Sequence, residues 1–355
     1  AAPATSATTA ATISCGTHGA EISYGNIYGG FGPSEVTMSN TAVTAGQNLS
    51  STGHAIKIYG TYPKATVSGG SVLTSRTGDG IHVEPTASDR QSPVLYILNS
   101  RIADCAGSGV YYRQPAGALP YENGRLLMIL DKARITGNGG MGLDILVQAA
   151  GEWSGGNQLI DGSTVFSMTN SVVAKNGGHG ISLRAMSTDG TDRTGGIEYR
   201  VINSAIADNG GHGFLSRTEH LGKSGASAYN WAAEFRNSVF AQNGTNGIDV
   251  ADGDSVLAVG ESHNDFYGNP GTNVVSCGSS VTLAGTDLTS NPKFSYRNQE
   301  FYQLDRSSAC LDAASATYGP ADDILGKPRP DGPAPSMGAY ESAAPNFSGT
   351  KVFLK

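Results

Sequence analysis

The strongest constraint on this chain is an internal echo in which two short motifs stand ten residues apart, five times over: Asn99-Ser100 with Gly109-Val110, Lys132-Ala133 with Gly142-Leu143, Asn170-Ser171 with Gly180-Ile181, Asn203-Ser204 with Gly213-Phe214, and Asn237-Ser238 with Gly247-Ile248. Three of the five pass through the string Asn-Gly-Gly-x-Gly, at Asn138 to Gly142, Asn176 to Gly180 and Asn209 to Gly213. Self-similarity at a steady period predicts a stack of like turns, each unable to bury its apolar face alone. Within a unit the apolar residues alternate, as in Val201-Ile202-Asn203-Ser204-Ala205-Ile206, and the interruptions are Asn, Ser and Gly. Period two with turn punctuation predicts strands.

The echoes are 33 to 38 residues apart, whereas three short strands with tight turns need only about 20 to 24 residues. The excess follows the Gly-Ile-x-Leu strand each time, over Gln114 to Arg125, Gln148 to Thr164, Ala185 to Glu198 and Thr218 to Trp231. Insertions at one point of every repeat predict a wall along one face, often the binding face.

These residues resemble the secreted bacterial right-handed parallel β-helix proteins of the pectin-lyase-like group, which include pectate lyases, alginate lyases and epimerases, and polygalacturonase-type hydrolases. The resemblance covers roughly residues 53–278 as coils and implies an all-β, single-stranded right-handed solenoid. Asn291-Pro292-Lys293-Phe294, Phe301-Tyr302-Gln303-Leu304, the string from Ser307 to Ala313, Gly326 to Pro330, and Met337-Gly338-Ala339-Tyr340-Glu341 are similar to the C-terminal cap of such secreted helices. The expected organisation is a capping or first-coil region over 1–52, coils over 53–278, and a cap segment over 279–355 packed on the helix. That cap covers the unpaired backbone at one end, and Cys277 with Cys310 would pin it to the last coil.

With 49 glycines and 15% charged residues the composition suits a turn-rich β protein. A formal charge of −7 argues against a general nucleic-acid surface, and no apolar run approaches the roughly 20 residues of a membrane helix. The uncharged opening AAPATSATTAATIS reads as the start of a mature exported chain, which predicts a secreted, periplasmic or cell-surface location. Cys15, Cys105, Cys277 and Cys310 allow three pairings if all are bridged. None has zinc or redox spacing, and Cys105, standing where its coil should carry a turn asparagine, reads as a buried free thiol.

Asn99, Asn170, Asn203 and Asn237, and six residues later in register Asn138, Asn176, Asn209 and Asn243, read as structural ladders: stacked amides bond along the axis, and Asn tolerates left-handed backbone angles. Alternation after each glycine assigns Ile81, Val83, Val110, Tyr112, Leu143, Ile145, Ile181, Leu183, Phe214, Ser216, Ile248 and Val250 to the interior. Three outward rows follow. One holds His82, Tyr111, Asp144, Ser182, Leu215 and Asp249; its neighbour holds Glu84, Arg113, Leu146, Arg184, Arg217 and Ala251; the residue before each glycine gives Asp79, Ser108, Met141, His179, His212 and Asn246.

Arg184 and Arg217 fall on adjacent coils, where like charges need an anion or acidic side chains between them. An acidic polysaccharide in the groove meets that need, since planar guanidinium groups suit carboxylates; the alternative is neutralisation by loop acids such as Asp189, Asp192 and Glu219. β-Elimination or C5 epimerisation of a uronic acid requires a cation at the carboxylate, a base and an acid, and Arg184 and Arg217, His179 or His212, and Tyr111 are the candidates for those roles. Arg113, Asp144, His82, Trp153 and Trp231 are candidate substrate-binding residues, with Tyr121 and Tyr229 as further aromatics in the wall loops. Gly-His-Gly and Thr77-Gly78-Asp79-Gly80-Ile81 resemble polygalacturonase segments, but the adjacent acid pair of that family is replaced by Gly107-Ser108-Gly109-Val110, so glycoside hydrolysis ranks lower. Asp249, Asp252 and Asp254 offer hard oxygen ligands for Ca2+, the one metal or cofactor the sequence suggests, but without the full spacing of a dedicated calcium loop, so a solvated acidic turn is the stronger reading. A non-enzymatic, adhesive or structural subunit that self-associates through its ends is the other class of function that the fold accommodates.

Overall fold

The computed structural model describes residues 11–14, 20–23, 35–46, 52–60, 63–85, 93–113, 126–149, 164–187, 197–220, 233–252, 259–295 and 301–341. No helix occurs among them, and none of them forms a helix long and apolar enough to cross a membrane. The chain is a parallel β-helix in which each coil places one strand in each of three sheets of 9, 10 and 8 strands. One coil runs Val94–Leu98 (third sheet), Arg101–Ala103 (first sheet), Val110–Arg113 (second sheet), and the next repeats it with Leu127–Asp131, Arg134–Thr136 and Leu143–Ala149. The sheets continue upstream of residue 53 through Glu35–Ser39 and Thr41–Ala45.

Residues pair coil to coil without slippage: Val110 with Leu143, Leu143 with Ile181, Ile181 with Phe214, Phe214 with Ile248. All twelve positions assigned inward by alternation are buried, Ser216 included. Towards the C-terminal half aromatic rings take over the interior, with Phe235 against Tyr199, Phe214 and Phe240, and Phe240 stacked on Phe266 at 5.3 Å. Such edge-to-face and offset contacts add to simple burial.

The two asparagine rows do different work. Asn99, Asn170, Asn203 and Asn237 hold φ between 44° and 54° at the corner between the third and first sheets. The second row forms a buried amide ladder: Asn138 Nδ2 donates to Asn176 Oδ1 at 2.8 Å, Asn176 to Asn209 at 2.9 Å, Asn209 to Asn243 at 2.9 Å, and Asn243 to Asn269 at 3.1 Å. Cys105 begins the row as a buried free thiol and donates its backbone N–H to Asn138 Oδ1. Beyond the ladder the coils approach so closely that a Cβ on Gly177 or Gly210 would fall on a carbonyl oxygen of the preceding coil, which is why the Asn-Gly-Gly string recurs.

Two expectations change. The Gly-Ile-x-Leu strands run on through Ala149, Ser187 and His220 and the next strands begin at Thr164 and Ile197, so both ends of the expected wall segments, Gln148, Thr164, Ala185, Glu198 and Thr218 among them, are strand and not wall; what lies between is outside the described residues. The C-terminal segment also divides its work. Residues 279–290 close the last coil, with Val281 and Leu283 against the main core and Leu288 bridging Asp265. Residues 301–341 instead run along the flank, where Tyr302, Leu304, Cys310, Ile324, Met337 and Tyr340 pack on the outward Val172, Ala174, Ala205, Ala207, Val239 and Ala241 of the first sheet. The corner asparagines dock this flank: Asn170 Nδ2 donates to Asp322 O, Asn203 Nδ2 to Ser336 O and Asn237 Nδ2 to Ser315 O at 2.9 to 3.1 Å. Cys310 is a free thiol beside Asp265, 3.3 Å away, so it does not bridge Cys277. Cys15 lies outside the described residues.

The end closure contains a carboxyl pair. Glu261, paired in register with the interior residue Phe235, shares the Ala284 N–H with Asp287 at 2.8 and 2.9 Å. Burial, then the Asp287 carboxyl, pushes Glu261 up to about 8. A raised carboxyl stabilises the fold while it stays protonated, so this contribution is complete below the ordinary value of 4.5 and is lost as pH rises through about 8. Hydrogen exchange at Ala284 should therefore accelerate more steeply with pH across that range than exchange at core amides. Glu261→Gln, which keeps the acceptor and supplies Asp287 with an N–H, should abolish the difference; an unchanged profile would show that the pair does not hold the closure.

Candidate functional site

The outward face of the second sheet is ordered by the same pairing that fills the core, and the expected rows stand as read: His82 beside Tyr111, Tyr111 beside Asp144, Asp144 beside Ser182, Ser182 beside Leu215, Leu215 beside Asp249. The row before the glycines has a structural duty. His54 Nδ1 accepts the Asp79 N–H, Asp79 Oδ1 the Ser108 N–H, Ser108 Oγ the Met141 N–H, His179 Nδ1 the His212 N–H, and Asn246 Oδ1 the Thr272 N–H, at 2.6 to 3.2 Å. Each side chain thus satisfies a backbone donor of the next coil.

The candidate residues separate into two clusters. His82 stacks on Tyr111 with ring centroids 4.7 Å apart, and the Arg113 guanidinium lies over the Tyr111 ring at 5.6 Å. His82 Nδ1 is 2.8 Å from Asp79 Oδ2, and its Nε2 is 3.3 Å from Glu84 Oε1. His54 completes this cluster, its ring 4.0 Å from that of His82 and its Nδ1 3.2 Å from Asp79 Oδ2. Burial opposes the Asp79 charge, but hydrogen bonding to its oxygens, with His82 and the Ser108 N–H as donors, outweighs it and holds the carboxyl at about 2. Burial also pushes the Tyr111 phenol up.

The second cluster holds His179, His212, Arg184 and Arg217. Two coil steps separate Tyr111 from the coil of His179 and Arg184 and three from that of His212 and Arg217, about 10 and 14 Å at the usual strand spacing, so Tyr111 belongs to the first cluster. The histidine rings stack at 5.0 Å. His179 spends Nδ1 on the His212 N–H, which places its hydrogen on Nε2. Burial, then His212, Arg184 and Arg217, lowers it to about 4. It is therefore neutral at physiological pH, with its Nε2–H available as a donor. His212 differs: its Nδ1 is buried with no hydrogen-bond partner, 3.7 Å from Asp249 Oδ2, and burial lowers its pKa too.

The arginines are not open cations. Arg184 Nη2 donates to Asp144 Oδ1 at 2.9 Å and Arg217 Nη1 to Asp249 Oδ1 at 2.8 Å. The neutralising acids come from strands of neighbouring coils. The loop acids Asp189 and Asp192 lie outside the described residues, as does the side chain of Glu219. Asp249, the one expected calcium ligand whose side chain is described, faces Arg217 and accepts from Asn246 Nδ2 at 3.0 Å; its partners, Asp254 and the side chain of Asp252, lie outside the described residues. So do Trp153, Trp231, Tyr121 and Tyr229.

What remains unsatisfied is informative. Ser182 Oγ, Arg184 Nε and His212 Nδ1 are all buried without a hydrogen-bond partner, and they sit on adjacent coils of one face, Ser182 and Arg184 on one strand with His212 beside His179. Buried polar atoms are seldom left orphaned in a native fold, and these three fall on two adjacent coils of one face. His54 was not among the sequence candidates. The signal was present, since Gly53-His54-Ala55-Ile56 stands 25 residues before Gly78-Asp79-Gly80-Ile81, two coils above the first of the five echoes. No protein-family model, curated protein or solved structure matches this chain.

Proposed function

We propose that this protein binds and acts on an acidic polysaccharide laid along the outward rows of the second sheet, with lyase or epimerase chemistry ahead of hydrolysis. The observation that supports this reading is the pair of guanidinium groups, Arg184 and Arg217, in register on adjacent coils beside the stacked His179 and His212 rings. A uronate carboxylate meets Arg184 and Arg217 through the guanidinium N–H groups that Asp144 and Asp249 leave unused, and the cationic pair stabilises the charge that develops when the C5 proton leaves. His212, with its hydrogen on Nδ1 towards Asp249, takes that proton on Nε2; Asp249 stabilises the imidazolium. Return of the proton to the leaving oxygen, with cleavage of its bond to C4, gives elimination, and delivery of a proton from water on the opposite face, the first proton passing from His212 to solvent, gives epimerisation. His179 contributes its Nε2–H as a hydrogen-bond donor. An exported location accords with such a substrate.

Incubation with a panel of uronic-acid polysaccharides, followed at about 235 nm where the unsaturated product absorbs, tests the reading. The expected result is a rise in absorbance that His212→Ala reduces at least 100-fold and that persists somewhat below the ordinary imidazole pKa of 6.5, because His212 is shifted down. Loss of retention of Arg184→Ala and Arg217→Ala on an immobilised uronan would accompany it. A flat trace together with unchanged retention overturns the groove.

A second reading has its own support. His54, Asp79, Ser108, His179 and Asn246 all serve the backbone of the next coil, a use that needs no substrate and suits a structural, self-associating subunit. A flat trace with concentration-dependent light scattering favours it.

A further inference from the structure

We propose that His54, Asp79 and His82 form a binding site for a divalent transition-metal ion of the zinc class, separate from the arginine and histidine cluster and independent of the polysaccharide reading. The three residues each offer one ligand atom, and these atoms lie within 4.8 Å of one another. The shorter distances are more telling: Asp79 Oδ2 is 2.8 Å from His82 Nδ1 and 3.2 Å from His54 Nδ1. Ligand atoms about 2.1 Å from a common ion are separated by roughly 3.0 to 3.4 Å at octahedral or tetrahedral angles, so little movement is needed to admit one.

The electrostatics of the group ask for a cation. His54 Nδ1 accepts the Asp79 N–H at 3.0 Å, so it carries no hydrogen and turns a lone pair towards the surroundings of Asp79 Oδ2. The Asp79 carboxyl is an anion, and lone pair against carboxylate oxygen at 3.2 Å is a contact between two acceptors. Moving a hydrogen onto His54 Nδ1 does not relieve the group, because that hydrogen would then oppose the Asp79 N–H. A metal ion between the two acceptors turns the repulsive contact into two bonds, at the cost of one backbone hydrogen bond.

The surroundings meet the other requirements of a metal centre. Glu84 Oε1 lies 3.3 Å from His82 Nε2, so a His82 that ligates through Nδ1 keeps its Nε2–H on a carboxylate, the outer contact that fixes the tautomer of metal-bound histidines. The Tyr111 ring stacked on His82 and the Ser108 N–H on Asp79 Oδ1 hold both ligands in place. Two imidazoles with one carboxylate suit zinc, cobalt, iron or manganese better than calcium or magnesium, which prefer all-oxygen sets. Three protein ligands leave a coordination position for water or an oxygen of a bound molecule.

The test uses the full chain, stripped with chelator and titrated with Co2+ as a coloured stand-in for zinc, then with Zn2+, Ca2+ and Mg2+ by calorimetry. One Co2+ per chain with visible absorption characteristic of four- or five-coordinate cobalt, displaced by Zn2+ and not by Ca2+ or Mg2+, is the expected result. His82→Phe, which preserves the ring stack on Tyr111, should lower Co2+ affinity at least tenfold with an unchanged melting curve in chelator; His54→Ala gives a second variant if that one fails to fold. Absence of stoichiometric Co2+ binding by the wild-type chain, or equal binding by a folded His82→Phe variant, overturns the proposal.

Discussion

Arg329→Met is expected to cost about 4 kcal/mol and to free the C-terminal flank from the coils. Arg329 and Glu341 are each 1% exposed and meet at 2.7 Å, and the guanidinium also donates to Ser336 O, Gly338 O and Asn170 Oδ1. Methionine fills similar volume but leaves Glu341 charged, buried and unpaired, the circumstance in which breaking an ion pair is most costly. The loss should appear as a lower denaturation midpoint, with hydrogen exchange accelerated over residues 301–341 and at Asn170, and little change near His54. Lys64→Met is the control: its bond to Glu35 joins side chains that are 39% and 41% exposed, so its loss should change stability by less than about 1 kcal/mol. Equal effects from the two substitutions would show that the buried pair does not dock the flank.

The second large effect is expected inside the amide ladder. Asn209 Oδ1 accepts both the Asn176 N–H and Asn176 Nδ2, while its own Nδ2 serves Asn243 Oδ1 and Val173 O. Asn209→Ala strands several buried polar groups at once, each costing about 1 to 3 kcal/mol, and a total of about 4 kcal/mol or more is expected. The ladder polarises along its length, so the loss should exceed the sum of two ordinary hydrogen bonds. Thermal denaturation measures it; a change below about 1 kcal/mol would mean that water replaces the missing amide.

These ladders and the face assignments were legible in the chain because a solenoid turns sequence period directly into neighbourhood. Ile181 and Phe214 pair because they occupy the same place in successive units, and one alternation rule then sorts Leu183 inward and Ser182 outward. Ion pairing across rows was not legible. Arg184 reaches back diagonally to Asp144, and a diagonal contact depends on side-chain torsions that no repeat encodes. The flank was recognised as a segment but not as a side-on neighbour of the first sheet, because its contacts run from asparagine amides to irregular backbone, such as Asp322 O, with no period to betray them. Row membership gives the order of Tyr111, His179 and His212 along the axis without showing that two and three coil steps separate the first from the others. His54 was less legible because its coil carries Ala55 where the five echoes have their glycine.

The zero-slip pairing has a consequence for how this chain can change. Asn176 and Asn209 are bonded neighbours 33 residues apart, and the corner residues Asn170 and Asn203 keep the same separation, so residues 171–203 make one complete turn whose entrance and exit are interchangeable. Excising that turn would bring Asn138 against Asn209 and Leu143 against Phe214 with every inward residue still inward; duplicating it would lengthen the outward face by one strand. The length of the outward face therefore changes in whole units, and an insertion of any other size must be absorbed at a corner or in a connecting segment, leaving the axial spacing of the coils untouched.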